Sequence, residues 1–394
     1  MRVLVVLPFT PWPVRVRSAN LWPRIAREAE VHVIYVEGDA PRNGGTSPLA
    51  GVASTQAIRC SRARAAARVA AALPSRRCLR AAWHDDAAAR RAVEEAYRRL
   101  RPDVVYAERL RALPLIETLP PERVVLDPTD SLPLFCEEVT RQPGAPLARR
   151  LIDTIERPRL IELERRTYPA FARIIACSRR DADAMETSAP NARVEVVANG
   201  VDLERFAFAP IWQNGHRTVL MSGNFAYWPN GEAARWLLGQ AATLRERCRG
   251  EVVFAGANPP PYLQRAHRAG EVTARGFVED LSKAYHDASA VAAPVRFAAG
   301  TQNKVLEALA CGRPVVATPE CARSLEPEGR ESMIEAPREG FVDALAALLG
   351  DRPRQMGMAE RGRAYVEQHH DWERIAGQML RLLEDVASET EERR

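Results

Sequence analysis

The chain has 394 residues, 46% of them hydrophobic and 27% charged, and a formal net charge of +5. That length allows two domains of ordinary size, each with a sizeable core. The seven cysteines are scattered, odd in number and never in a Cys-x-x-Cys pair, which argues against a disulfide framework or a zinc site and favours a reducing cytoplasm. No stretch approaches the ~20 apolar residues that span a bilayer. The apolar run at Met1–Pro8 is too short for a signal peptide and reads as a first strand.

Short apolar runs alternate with longer helical patterns, which predicts parallel sheets and an α/β class. In the first half, strands are expected at Val3–Leu7, Val31–Val36, Val104–Tyr106, Val124–Leu126 and Ile174–Cys177, with helices over Ser18–Glu28, Asp85–Leu100 and Leu147–Tyr168. In the second half, strands are expected at Val219–Ser222, Val252–Ala255, Ala290–Ala293 and Pro314–Ala317. Helices are expected near Gly231–Arg247, Leu281–Asp287, Gln302–Ala310 and Phe341–Leu349, then at Arg354–His369 and Trp372–Val386. The charged tail Ser388–Arg394 is expected to fray. Two such strand–helix series predict two Rossmann-like domains joined near Phe206–His216, where Ala-Pro-Ile-Trp-Gln-Asn-Gly reads as a linker. Ligands of such sheets bind at the carboxyl ends of strands.

Only two of the 56 basic residues are lysines, Lys283 and Lys304. Twelve arginines fall between residues 59 and 101. They fit either a solvated helix face in an arginine-biased chain or a weak peripheral contact with anionic lipid or an acidic acceptor. Few aromatics accompany them and no nucleic-acid motif is present, so nucleic acid is not an expected partner.

The densest chemistry lies in Gly300-Thr-Gln-Asn-Lys-Val-Leu-Glu-Ala-Leu-Ala-Cys-Gly-Arg-Pro-Val-Val-Ala-Thr318, a glycine turn, an amphipathic helix, a second glycine and a short buried strand. Thr301, Gln302, Asn303, Lys304 and the free N–H groups of the helix start suit one anion. Glu307 follows Lys304 at i+3, so both face the same side. A nucleoside diphosphate matches the pair, with phosphates for the helix start and ribose hydroxyls for the carboxylate. Three more strand ends carry suitable residues: Gly223 and Asn224 before a helix that Asn230 is placed to cap, Gly256, and Pro294-Val-Arg296. Val272–Asp280 reads as a short strand, a glycine turn and an acidic helix start.

The string Gly300–Ala317 resembles the donor-binding signature of family 4 glycosyltransferases, the large retaining group of GT-B fold. Val197-Ala-Asn-Gly-Val-Asp-Leu-Glu-Arg-Phe206 is similar to the family's Asn-Gly-Val-Asp segment. Tyr227-Trp-Pro-Asn230 and Gln302–Glu307 resemble a subgroup associated with bacterial exopolysaccharide clusters, and His369-His-Asp-Trp372 resembles the aromatic before the last helix. The resemblance implies two Rossmann-like domains facing a cleft. The acceptor domain would comprise residues 1–206 plus a C-terminal helix, 373–394, that crosses back to it; the donor domain would comprise 207–372. It implies that Lys304 and the helix start, helped by Arg296, hold the diphosphate, that Glu307 accepts from the ribose, and that Val278 meets the base through its backbone. No metal or other cofactor is expected.

Two departures from the family pattern stand out. The acidic residue expected eight positions before Glu307 is Ala299, so the sugar contact must differ, with backbone N–H groups of Gly300–Gln302 as substitutes. The customary Arg and Lys pair after the first strand of this domain is replaced by Asn224 and Phe225. On the acceptor side the resemblance points to the loop Pro8–Ser18, hence to Trp12, Arg15 and Arg17. Asp130 is the candidate carboxylate for orienting donor or acceptor, or else a cap of the next element; Glu108 and Arg109 form a second candidate pair. None of the seven histidines is placed as a general base at an N-terminal-domain strand end, which agrees with retention of configuration. The expected activity is sugar transfer from a nucleotide sugar to an acceptor hydroxyl, in surface polysaccharide or natural-product synthesis. The alternatives are nucleotide-sugar epimerisation, C–N coupling of a sugar mimic, or a non-catalytic partner that keeps the fold.

Overall fold

Two all-parallel sheets take up the apolar runs in a computed structural model of the chain, which describes residues 1–11, 16–37, 49–142, 144–210, 217–297 and 300–392. The first sheet contains β1 (Arg2–Leu7), β2 (Glu30–Glu37), β3 (Ser54–Arg59), β4 (Val104–Glu108), β5 (Val124–Thr129), β6 (Arg173–Ala176) and β7 (Val194–Val196), in the order β3-β2-β1-β4-β5-β6-β7. The second contains β8 (Arg217–Ser222), β9 (Gly250–Ala255), β10 (Thr273–Gly276), β11 (Ala290–Ala293), β12 (Val315–Ala317) and β13 (Met333–Glu335), in the order β10-β9-β8-β11-β12-β13. Strand order reverses beside the first strand of each sheet: β1 pairs with β2 and β4, and β8 with β9 and β11. Such a reversal opens a crevice at the carboxyl ends of the strands.

The strand pleat divides the apolar residues between two faces. In β1, Leu4 and Val6 join a core with Val93, Leu126 and Leu160, while Val3, Val5 and Leu7 join one with Trp22, Trp372 and Leu383. The chain divides into two compact units: Met1–Arg141, Pro146–Ala198 and Trp372–Arg394 form the first, Gln142–Ala145 and Asn199–Asp371 the second. The C-terminal helix Trp372–Glu392 thus belongs to the first unit, with Trp372, Met379 and Leu383 fully buried.

Several elements depart from the sequence pattern. The polar strand β3 and the three-residue strands β7 and β13 carry too weak an alternation to be read, and pairing with a neighbour makes them strands. The helix expected over Gly231–Arg247 is two, Trp228–Gly239 and Ala241–Cys248. The tail does not fray over Ser388–Glu392: Thr390 is buried and its hydroxyl donates to the Val386 carbonyl at 2.7 Å, while Glu389 pairs with Arg173 and Arg193 at the sheet edge. Of the twelve arginines between 59 and 101, at least six are held in ion pairs, so they do not form one free basic face.

The helix Leu147–Thr167 is inverted. It buries Asp153, Glu156, Leu160 and Glu164 and exposes Leu147, Leu151, Ile152 and Ile155. The acids face inward because their partners are there. Asp153 accepts from Arg80 and Arg149, both at 2.5 Å. Glu156 accepts from the backbone N–H groups of Leu79 (2.9 Å) and Arg80 (3.2 Å), satisfying the start of the helix Leu79–His84. Glu164 is less well served, with the Tyr168 hydroxyl at 3.3 Å. Burial pushes its carboxyl up to about 8, against the pull of hydrogen bonds from Ser188 and Tyr168.

A carboxyl raised in the fold holds a proton that the unfolded chain gives up. Its stability contribution is therefore present below the ordinary glutamate range and is lost as pH rises through about 8. Glu164→Gln is predicted to flatten the fall in denaturation midpoint between about pH 5 and about pH 9. A variant whose midpoint falls as steeply as the wild type would show that Glu164 does not titrate in this window.

Candidate active site

At the carboxyl ends of β8 and β9 the backbone passes unusually close to itself. Gly223 has φ +147° and Gly256 φ +145°, and a Cβ on Gly256 would lie 1.9 Å from the Gly223 carbonyl oxygen. Only glycine fits both the conformation and the space. The pass leaves just enough room for Asn230, whose Nδ2 would be 2.9 Å from a Cβ on Gly223. Asn230 is buried in the first turn of the helix Trp228–Gly239. It was expected to cap that helix; instead its Nδ2 donates to the Asn224 carbonyl at 3.0 Å and its Oδ1 accepts from Lys304 Nζ at 2.6 Å. Asn224 uses its own side chain to hold the turn, accepting from Ala226 N–H and Asn258 Nδ2, both at 3.0 Å.

Lys304 lies in the first turn of the helix Asn303–Ala310, which starts after Gly300 at φ +60° with Gln302 at the cap position. It is 9% exposed and makes no ion pair among the described residues. Burial lowers its pKa, with Cys321 and Glu307 acting the other way. Thr301 and Gln302 are half-buried beside it, and Asn303 Oδ1 is buried without a hydrogen bond. This corner therefore combines a buried cation, a neutral partner and a helix start whose dipole has the same sign as the cation.

Glu307 stands one turn further on. Its Oε2 accepts from the Tyr285 hydroxyl at 2.9 Å, which also lies 3.1 Å from the Lys304 carbonyl and 2.7 Å from Ser222 Oγ. A phenol has one proton, so Ser222 donates to Tyr285 and Tyr285 donates onward. Burial pushes Glu307 up to about 7, opposed by Tyr285, Arg205 and Lys304. Tyr285 is fully buried, and burial beside Glu307 holds its phenol in the neutral form. The sequence reading missed Tyr285, Ser222 and the grip of Asn230 on Lys304. The available signals were faint: a serine closing a strand, and a tyrosine inside a six-residue helix, Leu281–His286.

The other residues read for this site are spread around it. Val278 is half-buried against the core of the unit, and the next carbonyl, of Glu279, accepts from Arg205 at 3.4 Å. Arg296 is exposed, and its carbonyl accepts from Gln142 at 2.9 Å. Trp12, Arg15 and Ala299 lie outside the described residues.

In the first unit the carboxyl ends of β4 and β5 are filled from within. Arg17 Nε donates to Asp127 Oδ2 at 2.7 Å, as does the Tyr106 hydroxyl at 2.5 Å. Glu108 accepts from the Ser18 hydroxyl. Arg17 and Glu108 are 5% and 1% exposed. Both were read as acceptor contacts; in the structure both are withdrawn from solvent and partnered within the unit. Burial raises the Glu108 carboxyl, against Arg109. Asp130 is the accessible carboxylate here. It accepts from Arg109 at 3.1 Å and from Cys177 Sγ at 3.2 Å. Its ligand atoms and those of Cys177 and Asp181 lie within 4.8 Å of one another, with the Arg109 guanidinium already on Asp130. Arg109 and Thr129 have φ +70° and +72°, conformations that non-glycine residues adopt at a cost.

Residues 216–351 match the family of "Glycosyl transferases group 1" and residues 143–205 match "Glycosyltransferase Family 4". No curated protein sequence matches the chain. Among solved structures it is similar to sucrose-phosphate synthase from Thermosynechococcus elongatus, with 14% identity over 98% of this chain and 99% of that one and a TM-score of 0.71. It is similar to HepE of Anabaena in complex with UDP, with 16% identity over 98% and 100% and a TM-score of 0.68. It is also similar to WaaG, a glycosyltransferase involved in lipopolysaccharide biosynthesis, with 16% identity over 97% and 99% and a TM-score of 0.64. At such identities the structural likeness speaks for the fold. The two family matches, which together take in half of the chain, cover the helix start with Lys304 and Glu307 and the Asn-Gly-Val-Asp segment. The chain belongs to the family 4, group 1 glycosyltransferases of GT-B fold.

Proposed function

We propose that the protein is a retaining glycosyltransferase that moves a sugar from a nucleoside-diphosphate sugar to an acceptor hydroxyl of a surface polysaccharide or natural product. One observation carries the reading: Lys304 is a buried ammonium that forms no ion pair among the described residues, next to a carboxyl that accepts hydrogen bonds. A diphosphate supplies the missing charge, and a ribose supplies hydroxyls for Glu307. Complexes of the structurally similar HepE with UDP and with UDP-glucose support this choice of ligand. In this reading Arg296 reaches the diphosphate from the rim, the backbone at Val278 meets the base, and N–H groups at Gly300, Thr301 and Gln302 face the donor sugar. Gly223 and Gly256 let the ligand approach the strand ends.

In the transfer step the bond from the anomeric carbon to the diphosphate oxygen breaks. A bond from the acceptor oxygen forms on the same face, and the acceptor proton passes to the departing phosphate. Negative charge grows on the diphosphate as this happens, and Lys304 with the helix start stabilises it. Asp130, steadied by Arg109, orients the acceptor hydroxyl. The protein would work in the cytoplasm; no helix among the described residues is long and apolar enough to cross a membrane.

Isothermal titration with UDP-, GDP- and dTDP-sugars tests the donor, and no binding to any of them would sink the reading. Lys304→Ala and Glu307→Ala are each predicted to lower donor affinity or turnover at least tenfold, about 1.4 kcal/mol. Near-wild-type kinetics in both would place the site elsewhere. The Glu307 carboxyl, raised to about 7, must be ionised to accept fully from a ribose. Affinity for a nucleotide sugar, whose diphosphate diester does not titrate here, is predicted to rise as pH increases through about 7 and then to level off. Glu307→Gln should abolish that rise; a variant with the same pH profile would assign it to another group.

A further inference from the structure

The outward face of the helix Leu147–Thr167 is aliphatic in its first half: Leu147 is 80% exposed, Leu151 63%, Ile152 49% and Ile155 38%. Leu147, Leu151 and Ile155 are spaced at i, i+4 and i+8, so they form one stripe along the helix. The stripe leads into a cavity of about 1220 Å3 in the first unit, whose wall includes Ile155, Leu113, Ile116 and Phe171. The wall also includes Pro121 and Thr167, which precede β5 and β6 in the chain. Five arginines line the cavity, Arg76, Arg77, Arg159, Arg165 and Arg166, against two glutamates. Both glutamates are paired, Glu117 with Arg90 and Glu162 with Arg165, and Arg77 is held by Asp85, while Arg159 meets only backbone carbonyls among the described residues. Arg76 and Arg166 are exposed and pair with no acid among the described residues.

We propose that this face docks on the surface of an anionic phospholipid bilayer, with the aliphatic stripe at the boundary between headgroups and acyl chains and the arginines on lipid phosphates. The charge selects the occupant. An apolar stripe alone would suit a second copy of the chain equally well. A self-paired interface, however, would bring Arg76, Arg159 and Arg166 of two copies together with no free acid in the cavity wall to offset them. A bilayer rich in anionic phosphates takes the stripe and supplies the missing charge, and guanidinium binds phosphate bidentately. The contact is peripheral, since no described helix is long and apolar enough to span. The basic segment between residues 59 and 101 contributes chiefly through Arg76, since Asp85 holds Arg77, and the apolar part comes from a helix outside that segment.

Flotation of the full chain with vesicles of phosphatidylglycerol and phosphatidylcholine, against phosphatidylcholine alone, tests the proposal. Binding is expected with the anionic vesicles and at least about tenfold weaker with the neutral ones. Two paired variants, Leu151→Glu with Ile155→Glu and Arg76→Glu with Arg166→Glu, should each lose at least about tenfold in partitioning while keeping the wild-type circular dichroism and melting transition. These fold readouts do not depend on whether a nucleotide sugar binds. Equal binding to both kinds of vesicle, binding to neither, or unchanged partitioning of both folded variants would overturn the proposal. So would a dimer, seen by light scattering, that Leu151→Glu dissociates.

Discussion

A buried ammonium with only a neutral partner governs the second unit. Taking Lys304 out of water costs energy that a single amide oxygen at 2.6 Å does not fully return, and the start of its own helix adds a positive field. The surroundings hold it there. Gly256 crosses over Gly223, the space left admits Asn230, and Asn230 grips both the Asn224 carbonyl and Lys304. Such a corner is stable but electrostatically unfinished. It favours a ligand that brings negative charge, and most of all a state in which that charge grows.

The two sheets share a topology and use it differently. At the reversal in the second sheet the cation is left uncompensated. At the corresponding reversal in the first, Arg17, Asp127, Tyr106, Ser18 and Glu108 satisfy one another out of solvent. A position at a topological switch is thus an opportunity, and the side chains decide whether it binds something or only braces the fold. In the first unit what remains accessible is Asp130, held by Arg109, with strained backbone at Arg109 and Thr129 on either side of the network. Strain kept at such a place, against its cost, points to a geometry that matters.

Much of this was legible from the sequence, for a physical reason in each case. The long buried strands of both sheets announce themselves as β-branched runs, and the helix start at Lys304 with Glu307 one turn on follows from spacing alone. The anchors of those groups were not legible. Tyr285 reaches Glu307 from a helix 22 residues earlier, and Asn230 reaches Lys304 across 74 residues. Contacts of that span leave no periodic mark. The helix Leu147–Thr167 shows a second kind of blindness. Its extent is readable, but its apolar stripe would be assigned to the core, whereas Arg80 and the N–H groups at Leu79 and Arg80 draw its acids inward instead. A pattern of hydrophobicity records where apolar residues recur, and only the positions of their competitors decide which face is buried.

Lys304 and Glu307 are the two ionisable groups at the heart of the site. They lie one turn apart and are shifted in opposite senses, the lysine down and the carboxyl up, each mainly by its own burial. Two opposite charges so close would ordinarily correct both shifts by pairing. Here the lysine is turned to Asn230 and the carboxyl to Tyr285, so each keeps an environment that disfavours its charged form. The fold thereby prevents the pair from neutralising itself. A ligand with an anion at one end and hydroxyls at the other can do for each group what the partner one turn away does not, which is why the two residues are better described as the two halves of a receptor than as an ion pair.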